Sequence, residues 1–223
     1  MGLAEKRVGT IIDEDGDTHP IFGRGNQPQI GDPAPSFSLW GVNPRTNDIE
    51  PFRSTSLFPN KVVLLHTTYA AFDKTSHTVT RSIQELRRKA ATVRGILEIA
   101  IPLTQLEVIT VTEDLIPSQA EWIKALKLNP SVAHAVASSA HTLGEFASQW
   151  GVTRKDPSRG LAEGIWVIDN GIIMGRWLQT DLTKPASYKP AMDLAVSLVM
   201  AAADTADAKD TVAGVEKFFF QKP

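Results

Sequence analysis

The stretch Val62–Arg81, VVLLHTTYAAFDKTSHTVTR, decides how this chain is read. Val62 to Leu65 is an unbroken apolar run behind Pro59-Asn60, the pattern of a central strand buried on both faces. From about Thr75 the period changes. Val79, Ile83 and Leu86 recur at spacings of four and three, with Arg81, Glu85 and Arg88 on other faces, which predicts a helix. The loop between carries His66, Thr67, Thr68, Tyr69, Asp73, Lys74, Ser76 and His77. A strand–loop–helix junction brings such groups to a helix N-terminus, where free amides and the helix dipole favour acceptors and negative charge.

Towards the N-terminus, Arg7–Ile12 and Thr18–Gly23 predict a hairpin about an acidic, glycine-bearing turn. Ser36–Trp40 alternates and suits an edge strand, and Asp48–Arg53 a short returning strand. Towards the C-terminus, Glu107–Thr112 is β-rich and suits a second central strand. Pro117 starts a helix with Trp122, Leu126 and Ala125 on one face. Val132–Ala137 follows as a strand, then Leu143–Trp150 as a short helix stopped by Gly151. Ile165–Ile168 and Ile172–Trp177 flank Asn170-Gly171, the strongest short hairpin signal. Tyr188–Ala203 is the last helix, and Gly95–Thr104 receives no assignment. Strands alternating with helices predict an α/β fold with a central mixed sheet flanked by helices. Residues 1–203 form one domain, and 204–223 a tail ending in Val215-Glu-Lys-Phe-Phe-Phe220.

Composition sets limits on function. The chain has 223 residues, 42% hydrophobic and 22% charged, with formal net charge −2 and no cysteine. That balance gives no electrostatic case for nucleic acid, and Arg87-Arg88-Lys89 reads as the solvated face of a helix. No run approaches the ~20 apolar residues of a membrane span. The N-terminus lacks the apolar core of a secretory signal, so a cytoplasmic location is the expectation. Absence of cysteine removes disulfides, thiolate metal sites and thiol catalysis together.

Several segments, in order, resemble the peroxiredoxins and in particular their bacterial-type thiol peroxidase branch. Gly31-Asp-Pro-Ala-Pro-Ser-Phe-Ser-Leu39 is similar to the family's opening G-x-x-A-P-x-F-x-L. VITVTEDLIPSQ (108–119) resembles its strand followed by S-x-D-L-P-F-A-Q, and FASQWGV (146–152) its F-x-x-x-Y-G-V segment. Arg159-Gly-Leu-Ala162 with Trp166-Val-Ile-Asp169 resembles K-G-L-x-x-R-x-x-x-V-I-D. The resemblance implies a thioredoxin-like fold with an N-terminal β-hairpin, commonly dimeric. Its pocket reduces hydroperoxides with a threonine, a cysteine three residues later and an arginine from a distant strand.

This chain departs at all three positions. Counting from the strand places Lys74 at the cysteine, counting back from the helix places Ser76 there, and matching on the aspartate places His77. The arginine corresponds to Glu163 and the branch's resolving cysteine to Ile123. Thiol-based peroxide reduction is therefore not expected. The groups left behind suit cofactor-free acid/base chemistry on a small organic molecule, of isomerase, cyclase, dehydratase or lyase type. His77, Lys74, Asp73, His66 and Tyr69 are its candidate catalytic residues, and Thr67, Thr68, Ser76, Arg81 and Glu163 its candidate binding residues. Asp73 and His77 fall one turn apart, where the pair can hydrogen-bond and orient the imidazole. The bland reading stands beside it: Asp73 caps the helix, Ser76 satisfies first-turn amides, and His77 and Lys74 are solvated. No metal site is expected, because His66 and His77 lack dense ligand spacing and His134 and His141 lie on another segment. A homodimer is expected in either case, and the alternative function is a non-catalytic binding or assembly protein that uses the scaffold and the Phe218–Phe220 end for docking.

Overall fold

A computed structural model describes residues 9–12, 18–21, 27–43, 46–95, 105–127, 134–142, 144–153, 161–178 and 188–202. Strands β1 (Gly9–Ile12) and β2 (Thr18–Ile21) form the predicted hairpin, with Gly9 opposite Ile21. The main sheet has seven strands: β3 (Ser38–Val42), β4 (Ile49–Arg53), β5 (Val62–Thr67), β6 (Leu106–Thr112), β7 (Ala135–Ser138), β8 (Gly164–Asp169) and β9 (Ile172–Leu178). Their order is β4-β3-β7-β6-β5-β8-β9. β5, β6 and β7 are parallel, and antiparallel pairs complete both sides. This is the mixed α/β sheet that the alternating pattern predicts. Residues 96–104 and the tail from 203 lie outside the described residues.

Every residue of β5 is buried, as a strand at the centre of a doubly covered sheet requires. Helices α2 (Lys74–Gly95), α3 (Ile116–Leu126) and α5 (residues 189–202) cover one face. On that face Val62 and Leu64 pack with Val79 and Ile83 of α2 and with Ala191, Ala195 and Val199 of α5. Trp122, Ile123 and Leu126 of α3 pack on Val42 and Val136. Ala125 is exposed rather than facing the core, since positions 122, 123 and 126 already make the inner stripe. The opposite face holds an aromatic core. Trp150 meets Trp166 edge-on at 5.4 Å, and Phe37 meets Phe58 and Phe146 edge-on at 5.7 and 6.0 Å. Helices α1 (Ser54–Leu57) and α4 (Glu145–Gln149) border that layer.

Two turns and one strand settle how the sheet closes. Asn170 and Gly171 both have positive φ, 48° and 80°, as the tight β8–β9 hairpin demands. β3 is not the edge strand its alternation suggests, because it lies between β4 and β7. The alternation arises because Trp40 faces the α3 side beyond the helix's cover and is 47% exposed. β4 is the true edge, and Pro51 within it removes a donor from the open side.

Gly41 sits where β3, β4 and β7 meet. A Cβ there would lie 2.3 Å from the Val136 carbonyl oxygen and 2.7 Å from the Ala137 Cα. Neither backbone atom can yield without breaking the ladder. Gly41→Ala is therefore expected to cost about 1–3 kcal/mol, read as a lowered urea midpoint. An unchanged midpoint would contradict the placement of β3 between β4 and β7.

Candidate functional site

The candidate site lies at the C-terminal end of β5, beneath the first turn of α2. Side chains alternate along β5, so Leu64, His66 and Thr68 share the face under α2 while Val63, Leu65 and Thr67 look the other way. Across the β5–β8 ladder Thr67 pairs with Gly164, which brings Glu163 opposite Thr68 one step beyond the sheet. Thr68 N–H donates to the Val111 carbonyl at 3.0 Å and prolongs the β6 ladder by one residue. Thr67 Oγ1 donates to the Ala162 carbonyl at 2.7 Å and pins the segment that carries Glu163.

Asp73 caps α2. Its Oδ2 accepts the Thr75 and Ser76 amides at 2.8 and 3.0 Å. Phe72 before it takes φ +66°, a left-handed conformation unusual for a bulky residue, and is 56% exposed. The Ala71 amide donates to Asp114 Oδ2 at 2.5 Å, tying this loop to the end of β6. Ser76, in the first turn of α2, points inward. Thr68 Oγ1 lies 2.7 Å from Ser76 Oγ and 3.3 Å from Glu163 Oε1. The Thr68 hydroxyl has one proton, within reach of both the Ser76 oxygen and the Glu163 carboxylate, and the Ser76 hydroxyl in turn reaches Asp73 Oδ2 at 3.4 Å. Thr68 and Ser76 are fully buried and Glu163 is 7% exposed. Tyr188, at the start of α5, joins this corner. Burial first, and then the Glu163 charge, raise its phenol above the ordinary range.

One row lower, His66 is enclosed. Its Nδ1 lies 3.2 Å from Thr110 Oγ1, which lies 2.8 Å from His134 Nε2. His66 Nε2 has no partner among the described residues. Burial pushes the His66 imidazole down from 6.5 to about 3, so it is neutral in ordinary conditions.

The predicted site residues therefore divide. Thr68, Asp73, Ser76 and Glu163 come together, and Thr67 braces them. His66 lies in the row beneath, bonded towards β6. Lys74 and Arg81 are exposed on α2, while Tyr69 and His77 are half-buried. The His77 imidazole makes no hydrogen bond among the described residues, and the Asp73 oxygen that forms bonds there, Oδ2, caps the helix instead. Among the described residues no group of three metal-ligating side chains forms. Sequence reasoning missed Thr110, Asp114 and Tyr188. They reach this corner through strand register and helix packing, for which no local pattern exists.

The architecture is matched by solved structures at low sequence identity. A peroxiredoxin-like protein from Aquifex aeolicus is 17% identical, covering 86% of this chain and 99% of its own, with TM-score 0.57. Peroxidoxin BcpB from Mycobacterium tuberculosis is 18% identical over 78% and 98%, at 0.56. Plasmodium yoelii thioredoxin peroxidase I is 16% identical over 76% and 90%, at 0.59. The fold is that of the peroxiredoxins. No family model matches the sequence, and no curated protein matches it. Within this peroxiredoxin fold, the strand-to-helix junction holds two buried hydroxyls and a buried carboxylate, in a chain with no cysteine.

Two measurements test this geometry. His66 binds its proton far more weakly folded than unfolded. Its contribution to stability is thus complete above pH 6.5 and declines by up to about 1.4 kcal/mol per pH unit below it, levelling near pH 3. His66→Asn should flatten that part of the profile, and an unaltered slope would place the imidazole in solvent. Asp73→Ala should lower stability by about 1 kcal/mol, whereas Lys74→Ala should stay within about 0.5 kcal/mol. Equal effects would contradict the capping assignment.

Proposed function

We propose that this protein is a cysteine-less relative of the thiol peroxidases that has lost peroxide reduction and serves as a binding or assembly protein. One observation carries the reading: Ser76, Thr68 and Glu163 are buried and engage one another. Ser76 takes the place of the nucleophilic cysteine and Glu163 that of the arginine. A thiolate site needs a nucleophile and a cation; this corner offers hydroxyls and an anion. The remaining titratable groups favour the same view, since Lys74 and Arg81 face solvent while His66 is in the core. The contact surface is the end of the sheet beside this corner. Phe72 and Leu115, 56% and 67% exposed, flank the bonded pair Ala71 and Asp114. Apolar side chains displayed on hydrogen-bonded loops suit a homodimer contact. The chain acts in the cytoplasm, without a cofactor.

A second reading rests on Glu163 itself. A carboxylate 7% exposed, beside two hydroxyls and the Tyr188 phenol, has the components of a proton acceptor and donor. It supports cofactor-free isomerase, cyclase, dehydratase or lyase chemistry on a small uncharged organic molecule.

The purified protein should consume no hydroperoxide above the no-protein rate with a thiol reductant, and reproducible consumption would overturn the first reading. By sedimentation it should be a dimer, with Phe72→Glu plus Leu115→Glu producing a folded monomer; a dimer unaffected by both changes would remove the proposed face. The second reading predicts that screening small uncharged organic molecules finds one that the protein turns over, and that Glu163→Gln abolishes this turnover. Turnover insensitive to that change would exclude Glu163 as the base.

A further inference from the structure

At the opposite end of the sheet from the Thr68–Glu163 corner lies a cleft of about 310 Å³. It opens where the parallel strands begin: Glu107 is the second residue of β6 and Ala135 the first of β7. Phe52, Pro51 and Leu57 supply an apolar wall, and Ser56, Glu50 and Glu107 polar groups. Glu50 accepts one bond from Asn43 at 2.8 Å and Glu107 one from Lys61 at 3.0 Å, through Oε1 in each case. The cleft thus combines an aromatic and aliphatic floor with two carboxylates.

The course of α5 leads towards this end. Tyr188 lies close enough to Glu163, at the far end of the sheet, to feel its charge. Leu194 packs over Gly175, which pairs with Val167 in the middle of the sheet. Continuing from Leu194 to Ala202 carries the helix about 12 Å further in the same direction, at ~1.5 Å per residue. The chain therefore leaves α5 at the cleft's end of the sheet. Beyond it the sequence contains Lys217-Phe-Phe-Phe-Gln-Lys222, three phenylalanines bracketed by two lysines. The cleft lies on the other, aromatic face of the sheet, so the chain rounds the sheet's end to reach it, roughly 20 Å across the strands at ~4.8 Å per strand and ~10 Å through the layer. The fifteen or so residues before Lys217 span up to about 50 Å when extended.

We propose that the segment Lys217–Lys222 of the same chain docks in this cleft. Its phenylalanines lie against Phe52 and Leu57, and its lysines face the carboxylates of Glu50 and Glu107. The apolar lining and the rim carboxylates, one of them shared with Lys61, suit a run of phenylalanines between lysines, and burying adjacent phenylalanines removes an apolar run from water. The contact makes the C-terminal segment a strap across the starts of β6 and β7, at the end of the sheet remote from the Thr68–Glu163 corner.

The absence of native cysteine makes disulfide trapping specific. In the full chain carrying Ser56→Cys and Gln221→Cys, mild oxidation at micromolar protein should close an intrachain bond. Closure should be at least tenfold faster than in a control with Lys189→Cys and Gln221→Cys, since Lys189 is exposed at the start of α5. Adding Phe218→Ser and Phe219→Ser, or Glu50→Gln and Glu107→Gln, should slow closure several-fold. Equal rates in the two pairs would overturn the proposal. So would a product linked predominantly between chains, which would assign the cleft to the tail of a second copy.

Discussion

A carboxylate placed out of water must be given donors or lose its charge, and Glu163 is the point at which this fold meets that demand. It stands just before β8, opposite Thr68, where the last rung of the β5–β8 ladder forces the two side chains to the same face. Thr68 bonds it, Ser76 bonds Thr68, and Asp73 fixes Ser76 by holding its amide. The start of α2 is thereby fastened to the end of β8 through side chains, in addition to the apolar packing of Val79 and Ile83 below. Removing any member would leave a buried polar group uncompensated, at a cost of about 1–3 kcal/mol.

The same layer holds a second polar row, His66, Thr110 and His134, directly beneath the first. Two successive buried polar rows are a costly way to fill a core unless each is hydrogen-bonded, and they specify register more strongly than apolar residues would. A slip of one residue in β5 would turn His66 and Thr68 into the aromatic layer and break both rows. The junction that bears a reactive thiol in the peroxidases this chain resembles is thus tied into the fold by its own hydrogen bonds. Similarity near 17% identity carries the architecture alone.

Much of the fold is legible in the sequence. The run Val62–Leu65, the four-and-three spacing after Thr75 and the Asn170-Gly171 turn each report a local backbone state, and each forms where expected. β3 reads as an edge strand because alternation records which side chains are covered, and Trp40 escapes cover beside the short helix α3. The candidate site is less legible. Three ways of counting through 66–77 give Lys74, Ser76 and His77, and among them Ser76 alone is buried, since the cap at Asp73 sets the phase of the helix. Glu163 is reached through resemblance. Tyr188, Thr110 and Asp114 are brought to the corner by register across strands separated by tens of residues, which no window of sequence contains.

Thr68, Ser76 and Glu163 form one buried, hydrogen-bonded unit. A double-mutant cycle on folding stability with Thr68→Val and Glu163→Gln, singly and together, tests it most directly. A coupling energy of about 1 kcal/mol or more is predicted. Additive single effects, within about 0.3 kcal/mol, would show that the carboxylate does not depend on the hydroxyl.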